Sequence, residues 1–460
     1  MVKDPTEFEN WKKKRRTTFL SFCLLTCCLG SEYSVIIPSL WFYVTDITKS
    51  AHSKVYYGFT LSIYYISAII GSFVITKYVD KTRNIRKTIL TLISCEIIGN
   101  VLYSIPFSPL FLLCGRFIQG LGDVNMSIMT AEIARSYTEK EVTSKIAVIV
   151  ACFSTTFVMA PGLNIVFKLI DVNIKGFRVY YGNLPGLFMV VMFVFAWLIE
   201  YAFAYDLSKE FDLKQNKTSL DRLSDSDSET NILLRNERDY YDGQLKEQNF
   251  QQIETHPFSL LSYFDFNFLV WLGFFMSFSM VGLMDVSMPI LAAEDFHFTS
   301  QTTGMLFLLT GTVFIIVLAI VKYLSKHIAE YYLLHVGLGV FVASIVLFLL
   351  VNMAKRLNFN VGIAVFCSYV VILGTCSCVE QVILRSLLCK LIPSSCQTLA
   401  EGLRRSASSF ACITSSLLFP FLLNYIEVVC YVTLVLVVAA CILLRYRKNS
   451  LLNPKIFSVN

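Results

Sequence analysis

Arg116, Gln119, Gly120 and Asp123 stand at i, i+3, i+4 and i+7 within Cys114–Thr130, which reads CGRFIQGLGDVNMSIMT. At 3.6 residues per turn these four share one face of a helix. The run around them is apolar and long enough to cross a bilayer. An ionised side chain at mid-bilayer costs roughly 2.5–3.5 kcal/mol even on the lenient insertion scale, so this face must look inward, at partner helices or a watery path. Seven residues rise about 10 Å, so Arg116 and Asp123 need not pair with each other and their partners are expected on other spans.

Other ionisable residues fall inside apolar runs. Glu32 sits near the middle of the first run and is either an ion or proton site close to Arg116 or half of a structural ion pair between spans one and four. Asp123 is expected on the transport pathway with Arg116 and Gln119, whereas Glu96 reads as structural. In the second half, Asp285 lies near the far end of span seven, and Glu380 with Gln381 near the inner end of span ten. Glu401 and Arg405 are spaced for an i, i+4 pair, which leaves Arg404 to face the cavity. With Arg116 in one half and Arg404 in the other, the lining would suit an anion path. Asp80, Lys81 and Arg86 read as a charge latch at the inner mouth, against the plainer alternative of ordinary positive-inside charge. Tyr64 and Tyr65 in span two are candidate path residues, while Tyr56 and Tyr57 fit an interfacial aromatic belt.

The elements that must carry these groups follow from composition. The 460 residues are 55% hydrophobic and 16% charged, with a mean hydropathy of +0.61, which excludes an average soluble domain. Apolar runs at about 17–45, 57–77, 88–105, 110–134, 144–170 and 183–204 are followed by six more at about 266–290, 303–324, 331–352, 361–384, 399–423 and 428–446. Each is near the 20 residues that a bilayer requires. The expected fold is therefore an all-α polytopic membrane protein with twelve transmembrane helices in two pseudo-symmetric six-helix bundles, over 17–205 and 257–446. A direct echo supports the duplication: Lys77-Tyr78-Val79-Asp80-Lys81 after span two returns as Lys322-Tyr323-Leu324-Ser325-Lys326 after span eight.

Residues 1–16 carry the basic cluster Trp11–Arg16, residues 447–460 form a tail, and 206–256 is polar, charged and nearly free of apolar runs. That composition predicts a disordered linker. The amino terminus, the loops after spans two, four, eight and ten, and the tail are the richer in Lys and Arg, so both termini are expected in the cytosol. The formal net charge of +6 is accounted for by these loops against a membrane, not by nucleic acid. Fourteen cysteines lie mostly in or beside apolar runs and read as buried free thiols. Five scattered histidines and the lack of a Gly-rich phosphate cradle argue against an enzyme, a metal site or a bound cofactor.

Arg116-Phe117-Ile118-Gln119-Gly120-Leu121-Gly122 resembles the fourth-span signature of the major facilitator superfamily, RxxQGxG. The loop after span two keeps Asp80 and Lys81 of that superfamily's motif, but Thr76 and Arg83 stand where it has glycines. The fifth-span motif survives only as Ala160-Pro161-Gly162. Ser34–Trp41, Arg135–Thr138 and Tyr323–Glu330 are similar to an endolysosomal branch of the superfamily. The resemblance implies a bundle of twelve helices, a basic residue at 116 lining a central cavity, a lysosomal or late-endosomal membrane, and chloride conduction. A proton-coupled carrier of a small organic solute and a transport-inactive scaffold are the alternatives.

In the linker, Glu229-Thr230-Asn231-Ile232-Leu233-Leu234 fits the acidic dileucine pattern ExxxLL, in which two leucines fill an apolar pocket of a clathrin adaptor and the carboxylate meets a basic patch. Ser224, Ser226 and Ser228 just upstream would add charge if phosphorylated. Changing Leu233 and Leu234 to Ala is expected to move the protein from lysosomes to the cell surface, scored by surface biotinylation. Unchanged lysosomal residence would refute this signal.

Overall fold

A computed structural model describes residues 5–49, 52–137, 139–174, 176–209, 264–324, 327–391 and 397–449. The first span is one helix over Pro5–Thr48. The basic cluster is therefore its opening turns and not a separate segment, because Lys and Arg are good helix formers and nothing before Thr48 forces a stop. At 1.5 Å per residue its 44 residues reach about 66 Å, so it projects beyond the hydrocarbon. Arg15 fixes this projecting end by lying 4.3 Å over the Tyr137 ring and 3.6 Å from Glu141.

Spans two and three are Ser53–Thr82 and Ile85–Tyr103. The fourth is Pro109–Gly122 and Val124–Ser136, interrupted at Asp123, so the signature stretch is two helical segments and not one. The fifth is Glu139–Met159, carried on through a tight turn at Ala160–Leu163 and a last helical turn at Asn164–Phe167. Span six is Leu184–Phe203. Span seven, Phe264–Met280 and Met288–Phe296, contains a widened π turn at Val281–Ser287. Spans eight to twelve are Ser300–Leu324, Glu330–Leu357, Phe359–Leu391, Gln397–Leu422 and Ile426–Tyr446.

Among the described residues, nine stretches are long and apolar enough to cross a membrane on composition alone; one of these, Leu403–Tyr446, holds spans eleven and twelve together. Spans three and four are not among them: the third carries Arg86, Lys87 and Glu96, and the fourth is split at Asp123.

Between spans five and six the chain forms a two-stranded hairpin. Strands β1 (Val172–Ile174) and β2 (Phe177–Val179) pair antiparallel, Val172 opposite Val179. Gly176 turns the chain at φ +89°, a backbone region that favours glycine. Arg178 closes the hairpin base with two hydrogen bonds to Asp171, at 2.9 and 2.6 Å, and holds that carboxyl below its ordinary range.

Glycines set how closely the spans approach. A Cβ on Gly99 would lie 2.9 Å from the Gly115 carbonyl oxygen, so spans three and four touch through their backbones. Gly120 lets span two in against Tyr64 and Ser67, and Gly122 leaves room for the Glu96 carboxyl. Both glycines of the signature are therefore packing positions.

The two halves meet most tightly away from the basic face, the face at which the N-terminal cluster and the 77–87 loop emerge. There Gly58 of span two abuts the Ser416 carbonyl and Pro420 of span eleven, and Gly304 of span eight abuts the Pro161 carbonyl of span five. Nearer the basic face the same spans two and eleven are held apart by a pocket of about 250 Å³, walled by Ser72, Thr76, Asp123, Ser127, Arg405 and Ser409 among others. Among the described residues the two halves are thus closed on the far face and parted at this pocket on the basic one.

Candidate functional site

Arg116 is 1% exposed and is among the largest fully buried side chains of the described residues. Its guanidinium donates to Gln119 Oε1 at 2.9 Å, one turn on in the same helix. It lies 4.4 Å over the Tyr64 ring and 5.7 Å from that of Tyr33, so spans two and one supply aromatic faces in place of the carboxylate expected there. No carboxylate among the described residues comes within ion-pair distance of Arg116, although Glu32 and Glu96 lie near enough to feel its charge, and its Nε finds no hydrogen-bond partner among them.

The acids group beside it. Glu32 accepts from Asn100 Nδ2 at 2.7 Å and is buried, as are Glu96 and Asn100. Neither oxygen of Glu96 has a donor among the described residues, yet its carboxyl adjoins that of Glu32. A proton held between the two carboxyls would supply the missing donor. Glu96 therefore belongs to the charge cluster, because Gly122 lets it reach inward from a span that otherwise packs to one side.

Asp285 lies on the π turn of span seven and is 6% exposed. Its Oδ2 accepts from the Tyr33 hydroxyl at 2.9 Å, and Tyr65 donates to the Tyr33 oxygen at 2.8 Å. Tyr57 donates to the Asp285 carbonyl oxygen at 2.5 Å. The π turn loosens the ladder there, and Ser287 donates five residues back to the Gly282 carbonyl. Tyr33 thus touches Arg116 with its ring and Asp285 with its hydroxyl, joining the acidic cluster of the first half to the second. Asp285 also walls a central cavity of about 90 Å³ between spans one, five, seven, eight and ten, with Phe157, Met284, Phe307 and Phe314 among its neighbours.

Asp123 borders this group, close enough to act on Glu32 and Glu96, but its direct partner is elsewhere. It accepts from Arg405 Nη2 at 3.3 Å while Arg405 Nη1 donates to Ser127 at 2.9 Å, an ion pair that crosses between halves at the basic-face pocket. The crossing charge is Arg405, not Arg404. One residue is about 100° of helix, so Arg404 instead lies with its Cγ against Gly273 of span seven, within its own half. The side chains of Glu380, Asp80 and Glu401 are outside the described residues, as are Glu229, Leu233 and Leu234.

The expected latch at the inner mouth takes a different form. Lys81 is exposed, and Arg86 turns to span six: its backbone N–H donates to Asp206 at 2.7 Å and its guanidinium donates to the Tyr201 carbonyl. That contact stays within the first half. The groups least visible in the sequence are Tyr33, Asn100 and Arg405. Asn100 stands one helical turn after Glu96 and Tyr33 directly follows Glu32, signals that gain meaning only once the spans are packed.

The family model described as Major Facilitator Superfamily matches residues 22–416 and, again, 270–456. The chain belongs to this superfamily. Its members are transporters and not enzymes. Among solved structures, a D-xylose-proton symporter superposes with a TM-score of 0.67 at 12% identity, covering 93% of this chain and 96% of that one. A bacterial homologue of the human lysosomal transporter Spinster, in an inward-facing and occupied conformation, gives 0.64 at 11% identity over 94% and 97%. A bacterial homologue of the iron transporter ferroportin, also inward-facing, gives 0.61 at 13% identity over 94% and 98%. At these identities the likeness is one of fold. No curated protein matches the chain.

The superfamily fold makes the cluster testable by stability. Arg116→Ala is expected to cost on the order of 3–5 kcal/mol, because it leaves Gln119 and the acids without their cation. Glu96→Gln should stay within about 1 kcal/mol of the parent, since an amide supplies the donor that Glu32 faces. Thermal melting of the full chain in detergent checks both, and an equal loss in the Gln variant would contradict this account of the carboxyl pair.

Proposed function

We propose that this superfamily member is a proton-coupled secondary transporter of a small organic solute, working by alternating access in a lysosomal or late-endosomal membrane. The observation that carries the reading is Asp285. It is the one ionisable residue among those lining the central cavity, and Tyr33 connects it to Arg116 and the adjoining Glu32 and Glu96 carboxyls. Protonation changes at such a carboxylate alter the charge of the cavity wall and so can couple to movement of one half against the other.

The closed far face and parted basic face correspond to one end state of that movement. Residues 206–256 read as the linker between the moving bundles, and with the basic face in the cytosol the acidic dileucine pattern is on the side where adaptors act. The endolysosomal placement rests on that pattern and on the resemblance to the neuronal ceroid lipofuscinosis type 7 branch.

A specific observation favours a second reading, passage of a small anion such as chloride. The basic-face pocket sets the Arg405 guanidinium among Ser72, Thr76, Ser127 and Ser409 hydroxyls, chemistry that receives an anion once the half-exposed pair with Asp123 opens. Arg116, sealed behind Tyr64 and Tyr33, is not available for that purpose in this state.

Patch recording of enlarged lysosomes, paired with acid-driven solute uptake by the same organelles, separates the two. The coupled reading predicts uptake that depends on the protein without a matching chloride conductance. A chloride current that is abolished by Arg405→Ala would overturn it in favour of the anion path.

A further inference from the structure

Asp285 has no positive partner among the described residues. Of its two carboxylate oxygens, Oδ2 accepts from Tyr33, and Oδ1 accepts nothing from the described residues. The titratable groups that face it are Tyr33 from span one, Tyr57 and Tyr65 from span two, and Cys412 from span eleven, none of them a cation. Spans five, eight and ten contribute no ionisable residue to the cavity wall. A carboxylate within a span and without a counter-charge needs a proton or a cation brought to it.

The wall selects which cation. Phe157, Phe307 and Phe314 offer aromatic faces, and Met280 and Met284 offer thioethers. These are the surfaces that stabilise alkylated ammonium groups. A metal ion would instead require about six or more oxygen ligands. The cavity wall adds to Asp285 only the hydroxyls of Ser34 and Thr310, and both already donate to backbone carbonyls of their own helices, at 3.1 and 2.8 Å.

We infer that the central cavity binds a monovalent organic cation, an amine or quaternary ammonium with an apolar body, which exchanges with a proton at Asp285. This rests on the transport reading above and names its substrate class. The cycle balances simply: one cation enters as one proton leaves the carboxyl, so the exchange moves no net charge. Tyr33 positions the acceptor by holding Oδ2, which leaves Oδ1 for the incoming ammonium.

The test uses the full chain in liposomes with radiolabelled tetramethylammonium, a permanent cation that cannot cross the lipid as a neutral base. An acidic interior is expected to accelerate its uptake, and clamping the membrane voltage with valinomycin and potassium should leave that uptake unchanged. Asp285→Asn should lower uptake at least about tenfold, as when one member of a buried charge pair is lost, while Asp285→Glu retains it. Should the Asn variant fail to fold, Tyr33→Phe serves instead, with a raised half-saturation concentration and an unchanged maximal rate. Uptake equal in the Asn variant, or no uptake of the cation at all, overturns the inference. A neutral sugar crossing the same liposomes while tetramethylammonium does not would overturn the substrate class and leave the transport reading standing, whereas chloride alone crossing would overturn both.

Discussion

A charge inside a bilayer must be received by something other than lipid, and the arrangement of this protein turns on how Arg116 is received. The helix that carries it cannot turn it to water, so the neighbouring spans are brought close enough to surround it. Gly120 and the facing glycines Gly99 and Gly115 permit that approach by removing Cβ atoms from the contact lines. Two tyrosine rings and Gln119 then take the guanidinium. Because the rings belong to spans one and two, the fixed charge of span four determines where those spans sit.

Tyr33 carries the consequence across the molecule. Its ring lies over the guanidinium, its hydroxyl holds Asp285, and Tyr65 holds the hydroxyl in turn. A change at the acidic cluster is thereby felt at the carboxylate that walls the cavity, through contacts of one residue and not through a long relay. Another inter-half contact, Asp123 with Arg405, is half-exposed and sits at the mouth of a pocket. Pairs in that setting are weak and readily exchanged. The deep contact is suited to sensing and the shallow one to parting.

Much of the fold was legible in the sequence because hydrophobic length is a blunt, cumulative signal. All twelve spans fall close to their expected positions, and the fourth-span signature alone pointed to the superfamily. The site was legible in its residue types and less so in its partners. Arg116 was expected to face partner helices or a watery path, and tyrosines of spans one and two enclose it. Its position was set by tertiary approach at Gly120, which periodicity does not encode. Arg404 was expected to face inward and Arg405 to pair locally, yet Arg405 is the one that crosses to Asp123, and Arg404 lies beside Gly273 of its own half. Glu96 was set aside as structural, and the absence of a Cβ at Gly122 admits it to the cluster. The π turn that aims Asp285 into the cavity adds a residue to one helical turn and so defeats any reading based on a constant 3.6.

The account stands on the cavity beside Asp285 being an interior compartment that solutes enter from one face at a time. Thiol accessibility tests it most directly, with Thr310→Cys placed in a chain whose native cysteines are replaced, and a membrane-impermeant maleimide added to either face. The account predicts modification from the basic face while a bifunctional thiol crosslink between Lys54→Cys and Glu294→Cys, in place of the ion pair that joins the halves there, holds the far face shut, with labelling slowed by tetramethylammonium. A thiol at position 310 that stays unmodified from both faces, with and without that crosslink, would contradict it.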